Sequence, residues 1–123
     1  MPEIGSKHCF VDRGDCSGWD FSTSDFITDG NFHALDLSAV VPKNASAVLA
    51  YLFFRDEGVG NWIDFNKYGN VLTNNVSERR IFVANIWHSA DVIFAVDNNR
   101  KVLYAASNTA WANIYLLIRG WWL

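Results

Sequence analysis

Helix is what this chain of 123 residues has least of. No long stretch carries apolar residues at i, i+3, i+4 and i+7, which removes helical bundles and folds that need crossover helices. Charge is also sparse. Charged residues make up 19% and the formal net charge is −3, where a nucleic-acid binder shows a basic excess or stripe. The adjacent basic pairs are Arg79-Arg80 and Arg100-Lys101, neither interleaved with stacking aromatics. Nucleic acid is therefore not an expected partner. Two cysteines do not make a disulfide framework. No apolar run approaches the ~18 residues of a membrane helix, and "MPEIGSKHCF" has no apolar core of a secretory signal. The expectation is a soluble chain with no membrane span and no usual export route.

What the chain does have is aromatic bulk, with six Trp and nine Phe. Short runs of Val, Ile, Phe, Tyr and Trp alternate with Gly, Asn, Asp and Pro clusters at roughly ten-residue spacing, the pattern of an all-β sandwich. The strands expected are 8–12, 24–28, 32–38, 46–56, 61–67, 79–87, 91–97, 101–106 and 112–122. Asp29-Gly30-Asn31 and Tyr68-Gly69-Asn70 read as tight turns, and Asp97-Asn98-Asn99-Arg100 reads as a hairpin. The fold class is an antiparallel β-sandwich of about eight or nine strands in a single domain, 1–123.

Side chains alternate across a strand with period two. In "AVLAYLFF" Val48, Ala50, Leu52 and Phe54 face one way, and Ala47, Leu49, Tyr51 and Phe53 the other. Both faces are apolar. The same holds for Ile93 and Ala95 against Val92 and Phe94, and for Tyr115 and Leu117 against Ile114 and Leu116. A sandwich sheet with one wet face alternates apolar with polar, so something must cover this one. Either a second copy of the chain covers it, or a loop such as 68–78 folds over it. A homo-oligomer is the expected answer, with Ala47, Leu49, Tyr51, Phe53, Ile93, Ala95, Tyr115 and Leu117 as the candidate subunit interface.

No catalytic, cofactor-binding or metal site is read. There is no Gly-x-Ser-x-Gly elbow. His88 and Ser89 would point to opposite faces of a strand, so they make no base and nucleophile pair. His8, Cys9 and Cys16 match no common zinc spacing. The carboxylates Asp20, Asp25, Asp29, Asp36 and Asp64 are scattered, with no sign of a facing pair. Tryptophan faces stack on sugars but also fill cores. Trp62, beside the loop Glu57-Gly58-Val59-Gly60-Asn61, is the candidate ligand-facing ring.

Three stretches stand out together: "FHALDLSAVVPKNASAVLAYLFFRDEG", "NWIDFNKYGN" and "ADVIFAVDNNRKVLYAASNTAWANIYLLIRGWW". The combination resembles small jelly-roll-like structural modules of tailed-phage virions, of the head-decoration, fibre or tail-tip kind. The resemblance covers residues 32–123. It implies a non-enzymatic, often trimeric sandwich, located in the virion, with itself, other virion proteins and a host surface glycan as partners. Residues 1–31 fall outside it and are expected to be an arm or extra strands. They hold Cys9, Cys16 and the triplet Arg13-Gly14-Asp15. The triplet reads as a tight turn, with a hairpin across Arg13-Gly14 bringing the two thiols near each other. Replacing Arg13 or Asp15 is expected to leave the fold intact.

Overall fold

A computed structural model of the chain describes residues 9–72 and 74–123. His8, the expected start of the first strand and a weighed zinc ligand, lies outside the described residues, as does the rest of the arm before Cys9. The described strands are β1 (Phe10–Asp12), β2 (His33–Asp36), β3 (Ala47–Arg55), β4 (Trp62–Lys67), β5 (Ser77–Arg80), β6 (His88–Ala95), β7 (Lys101–Ala106) and β8 (Asn113–Trp122). They form two four-stranded antiparallel sheets, ordered β1-β8-β3-β6 and β2-β7-β4-β5. We refer to these as the first and second sheets. Successive strands cross between sheets everywhere except from β4 to β5, which is the wiring of an eight-stranded jelly roll.

The core lies between the sheets. Val48, Ala50, Leu52 and Phe54 of β3 and Ile114, Leu116 and Ile118 of β8 meet Ile63 and Phe65 of β4 and Val102 and Tyr104 of β7. Each set is every second residue of its strand, as the pleat requires. Burying each Val, Leu, Ile or Phe side chain among these contributes about 1.5–3 kcal/mol. β3 is the centre of the first sheet, paired with β6 on one side and β8 on the other.

Three expected features differ. Residues 24–28 form no strand. A short 3₁₀ turn (Thr23–Asp25) is held by the Ser22 amide donating to the Asp25 carboxylate at 2.8 Å. Phe26 then drops into the core, edge-on to Tyr104 at 5.1 Å, and the Tyr104 hydroxyl accepts from the Ile27 amide. This segment plugs one side of the sandwich instead of extending a sheet. The expected strand 79–87 stops at Arg80: Ile81 still donates to the Asn61 carbonyl and accepts from the Gly60 amide, both at 2.8 Å, but beyond it the ladder ends and Asn85 turns the chain at a φ of 62°. The turn at Asp97 to Arg100 is tight, but β6 and β7 belong to different sheets, so it is a crossover and not a hairpin.

The N-terminal segment is the edge of the first sheet. Phe10 to Asp12 pair with Gly120 to Trp122, and Phe21 bridges to Leu116 further along the same strand. Gly14 does turn the chain, at a φ of 82°, but the chain does not fold back as a hairpin. It leaves the edge, loops out over residues 14–19 and rejoins it. Both thiols are free. Cys9 sits by Leu123 and Cys16 by Leu117, well beyond the roughly 7 Å between Cα atoms that a bridge tolerates.

The free edge of β6 is guarded. Arg79 donates to the Asp91 carbonyl at 2.8 Å and Ser77 to the Ile93 carbonyl at 3.1 Å. Side chains of β5 thus occupy acceptors that a foreign strand would need.

Candidate functional site

All eight candidate interface residues lie on one surface, the outer face of the first sheet. That face has two halves. Asp91 of β6 and Arg119 of β8 form an ion pair at 2.7 Å across β3 and separate them. On one side lie Ala47, Leu49, Ile93 and Ala95, open to solvent around an Ile93 that is 55% exposed. On the other lie Tyr51, Phe53 and Tyr115, with Leu117 beside them.

The second half is covered by the chain itself. The loop of residues 14–19 brings Trp19 over it, near-parallel to Phe53 at 5.6 Å, to Tyr115 at 5.3 Å and to Tyr51 at 6.1 Å. From the opposite side Trp87 stacks on Phe53 at 4.3 Å with an interplanar angle of 2°. Tyr51, Phe53, Tyr115 and Leu117 are therefore not bare interface. The cover is Trp19 and Trp87, not the loop 68–78. The described part of that loop lies instead at the edge of β6, where Asn70, Asn75 and Val76 line a cleft with Ile93 and Ala95.

The covering indoles remain wet, with Trp19 42% and Trp87 40% exposed. Arg55, the last residue of β3, sets its guanidinium 4.8 Å from the Trp87 ring centre. Its Nε donates to the Asn113 side-chain carbonyl at 3.3 Å, and the Asn113 amide reaches the Tyr115 hydroxyl at 3.4 Å. The result is a platform of π faces with a cationic and amide rim. Such faces can stack on other rings or take a cation.

Beside the platform runs an apolar loop, residues 82–87. Phe82 is 74% exposed, and Val83 and Ile86 are about half exposed. The loop is nevertheless tied down. The His88 Nε2 accepts from the amides of Phe82 at 3.0 Å and Val83 at 3.3 Å, while Nδ1 faces the Ile86 carbonyl at 3.0 Å. An Nε2 that accepts places the ring proton on Nδ1, which then donates to that carbonyl. The Asn85 amide donates to the Asp56 carbonyl at 2.9 Å. Phe82 roofs a cleft of about 360 Å³ that Phe54, His88 and Ala90 line between β5 and β6.

Trp62 opens β4 on the outer face of the second sheet. It is half-buried, and less exposed than Trp19 or Trp87. Two residues on along the same face, Asp64 stands opposite Glu78 of β5, and Arg80 grips Glu78 at 2.5 Å. Asp64 is 9% exposed and its Oδ1 has no hydrogen-bond partner. Burial, then the hydrogen bond and the charge of Glu78, push its carboxyl up to about 7, against a smaller pull from Arg80.

His88 and Ser89 stand opposite Phe54 and Phe53, one on the inner and one on the outer face of β6. Among the described residues, no three His, Cys, Asp or Glu side chains converge as metal ligands, and no helix is long and apolar enough to cross a membrane. Trp19, Trp87 and Arg55 were not singled out by the sequence. The usable signal was the doubly apolar β3 and β8, which demand a cover, and a tryptophan in each flanking loop. The chain matches no protein-family model and no curated protein.

Proposed function

We propose that the chain is a non-enzymatic structural module of a tailed-phage particle that associates with copies of itself, as a homotrimer, through the loop of residues 82–87. The observation that carries this is an apolar loop held in water by its own hydrogen bonds. Phe82, Val83 and Ile86 gain nothing from exposure, and His88 and Asp56 hold the backbone that presents them. Contiguous exposed apolar surface of this kind marks an interaction site. The half-face around Leu49 and Ile93 adds to the same association. The particle, its other proteins and the three-fold symmetry come from the resemblance of residues 32–123, which is an argument from likeness.

Light scattering at micromolar concentration tests it, with a trimer expected. Ile86→Asp, combined with Phe82→Asp, should give a folded monomer. A wild-type chain that stays monomeric overturns the proposal.

The two wet indoles on the outer face of the first sheet favour a second reading. In it the module binds host surface carbohydrate on Trp19 and Trp87, as a receptor-recognition tip of the same kind of particle would.

A further inference from the structure

We infer that the sugar taken by the Trp19–Trp87 platform is acidic: a pyranose bearing a carboxylate, read by Arg55. The inference rests on the second reading above and adds the ligand class to it.

Arg55 is placed for this in three respects. It lies on the outer face of β3, two residues from Phe53, so it rises from the same surface as the stacked rings. Its guanidinium lies against Trp87 and its Nε is fixed by Asn113. Its terminal nitrogens have no partner among the described residues, where the ion pairs are Arg13–Asp20, Arg80–Glu78 and Arg119–Asp91. Asp91, on the outer face of β6, is held by Arg119, and Asp12 and Asp15 lie at the other edge of the sheet, beside Leu117 and Arg119. Arg55 is thus the cation beside the Trp87 ring, on a chain whose net charge is −3.

A neutral sugar would be served by the rings and by neutral amides and hydroxyls. An oriented guanidinium with an open fork offers something more specific, two parallel N–H donors to one carboxylate. Phe53 stacks on Trp87 and the Arg55 guanidinium lies over the same ring, so an acidic sugar that approaches Trp87 meets the guanidinium with its carboxylate.

The test keeps the sugar and removes the charge. Binding of the intact chain to polygalacturonate is compared by calorimetry with fully methyl-esterified polygalacturonate and with dextran. Alginate and polysialic acid are further carboxylate arms. We expect binding to at least one carboxylate polymer, weaker by about tenfold or more once the carboxylate is esterified, as the loss of a charge-assisted bidentate pair implies. Arg55→Gln should erase that preference and Arg55→Lys should restore part of it. Added salt should weaken wild-type binding more than that of Arg55→Gln. Circular dichroism checks that each variant is folded. Trp87→Ala should abolish binding of every polymer. Equal binding of free and esterified polymer overturns the acidic ligand and leaves the carbohydrate reading standing. No binding to any polymer overturns both. Neither result bears on self-association, which light scattering reads separately.

Discussion

Arg13 holds Asp20 through both carboxylate oxygens, at 2.5 and 2.9 Å, across the mouth of the loop that carries Trp19. The pair also replaces the ladder that the loop interrupts. Arg13 donates to the Ile118 carbonyl at 2.9 Å, and the Ile118 amide donates to Asp20 at 2.7 Å. An edge strand that leaves its sheet for residues 14–19 would expose these backbone groups of β8. The two side chains satisfy them and set the loop's width, and so fix where Trp19 lands.

Arg13→Ala should therefore destabilise the fold, against the expectation that the triplet is dispensable. Asp20 is nearly buried, and an ionised carboxylate left without its partner there costs about 2 kcal/mol. Urea denaturation should show the loss, and Trp19 fluorescence should shift to the red as the loop loosens. Asp15 is exposed, and Asp15→Ala should change neither. An unchanged midpoint for Arg13→Ala would mean that the clamp is ornamental.

Asp64 gives the fold a pH dependence of unusual sign. Its carboxyl is raised to about 7, so the folded chain holds a proton there that the unfolded chain releases near pH 4. Folding binds the extra proton between those values. Stability is then full at low pH and falls as pH rises toward 7, at up to about 1.4 kcal/mol per unit, with Asp64 and Glu78 titrating as a pair. Asp64→Asn should remove the slope and be more stable than wild type at pH 8. Denaturation midpoints at pH 5 and pH 8 check this. A wild type that gains stability across that interval contradicts it.

The parts legible in the sequence are those whose cause is local. β3, β4, β7 and β8 fall within a residue or two of their expected bounds, because alternation of side chains is written into consecutive residues. The doubly apolar character of β3 and β8 was equally plain, and it carried the correct demand for a cover. What supplies the cover was not. Trp19 reaches Tyr51 and Tyr115, and Phe26 reaches Tyr104, through contacts spanning tens of residues that no local pattern encodes. Residues 81–87 looked like strand because Ile, Phe and Val favour one. The ring of His88 takes the amides of Phe82 and Val83 away from any sheet. Arg55 carries no motif, and only its neighbours make it a site residue.

His88 should govern the apolar loop. With His88→Ala, the amides of Phe82 and Val83 lose their acceptor and the Ile86 carbonyl its donor. The expected cost is about 1–2 kcal/mol. Hydrogen exchange at Phe82 and Val83 should quicken much more than at Val92 in the same strand as His88. Because the loop presents the proposed self-association surface, the same variant should weaken the trimer. Protection at Phe82 that survives the substitution would show that the loop is held by packing alone.

Asp56 ties three loops together, two through its carboxyl and one through its backbone carbonyl. Its Oδ1 accepts from the Ala112 amide at 3.0 Å, ahead of β8. Its Oδ2 accepts from the Gly58 amide at 3.1 Å and the Asn61 side chain at 2.5 Å, in the loop before β4. Its backbone carbonyl takes the Asn85 amide of the apolar loop. The group is buried, so Asp56→Ala strands several donors away from water and should cost about 3 kcal/mol. Asp56→Asn keeps the shape but turns an amide against at least the Ala112 donor, because an asparagine has one acceptor oxygen where the carboxylate has two. It should recover only part of the loss. The midpoint of urea unfolding should rank wild type above Asp56→Asn above Asp56→Ala, with slopes unchanged. An asparagine variant as stable as wild type would show that one oxygen suffices and that the Ala112 bond contributes little.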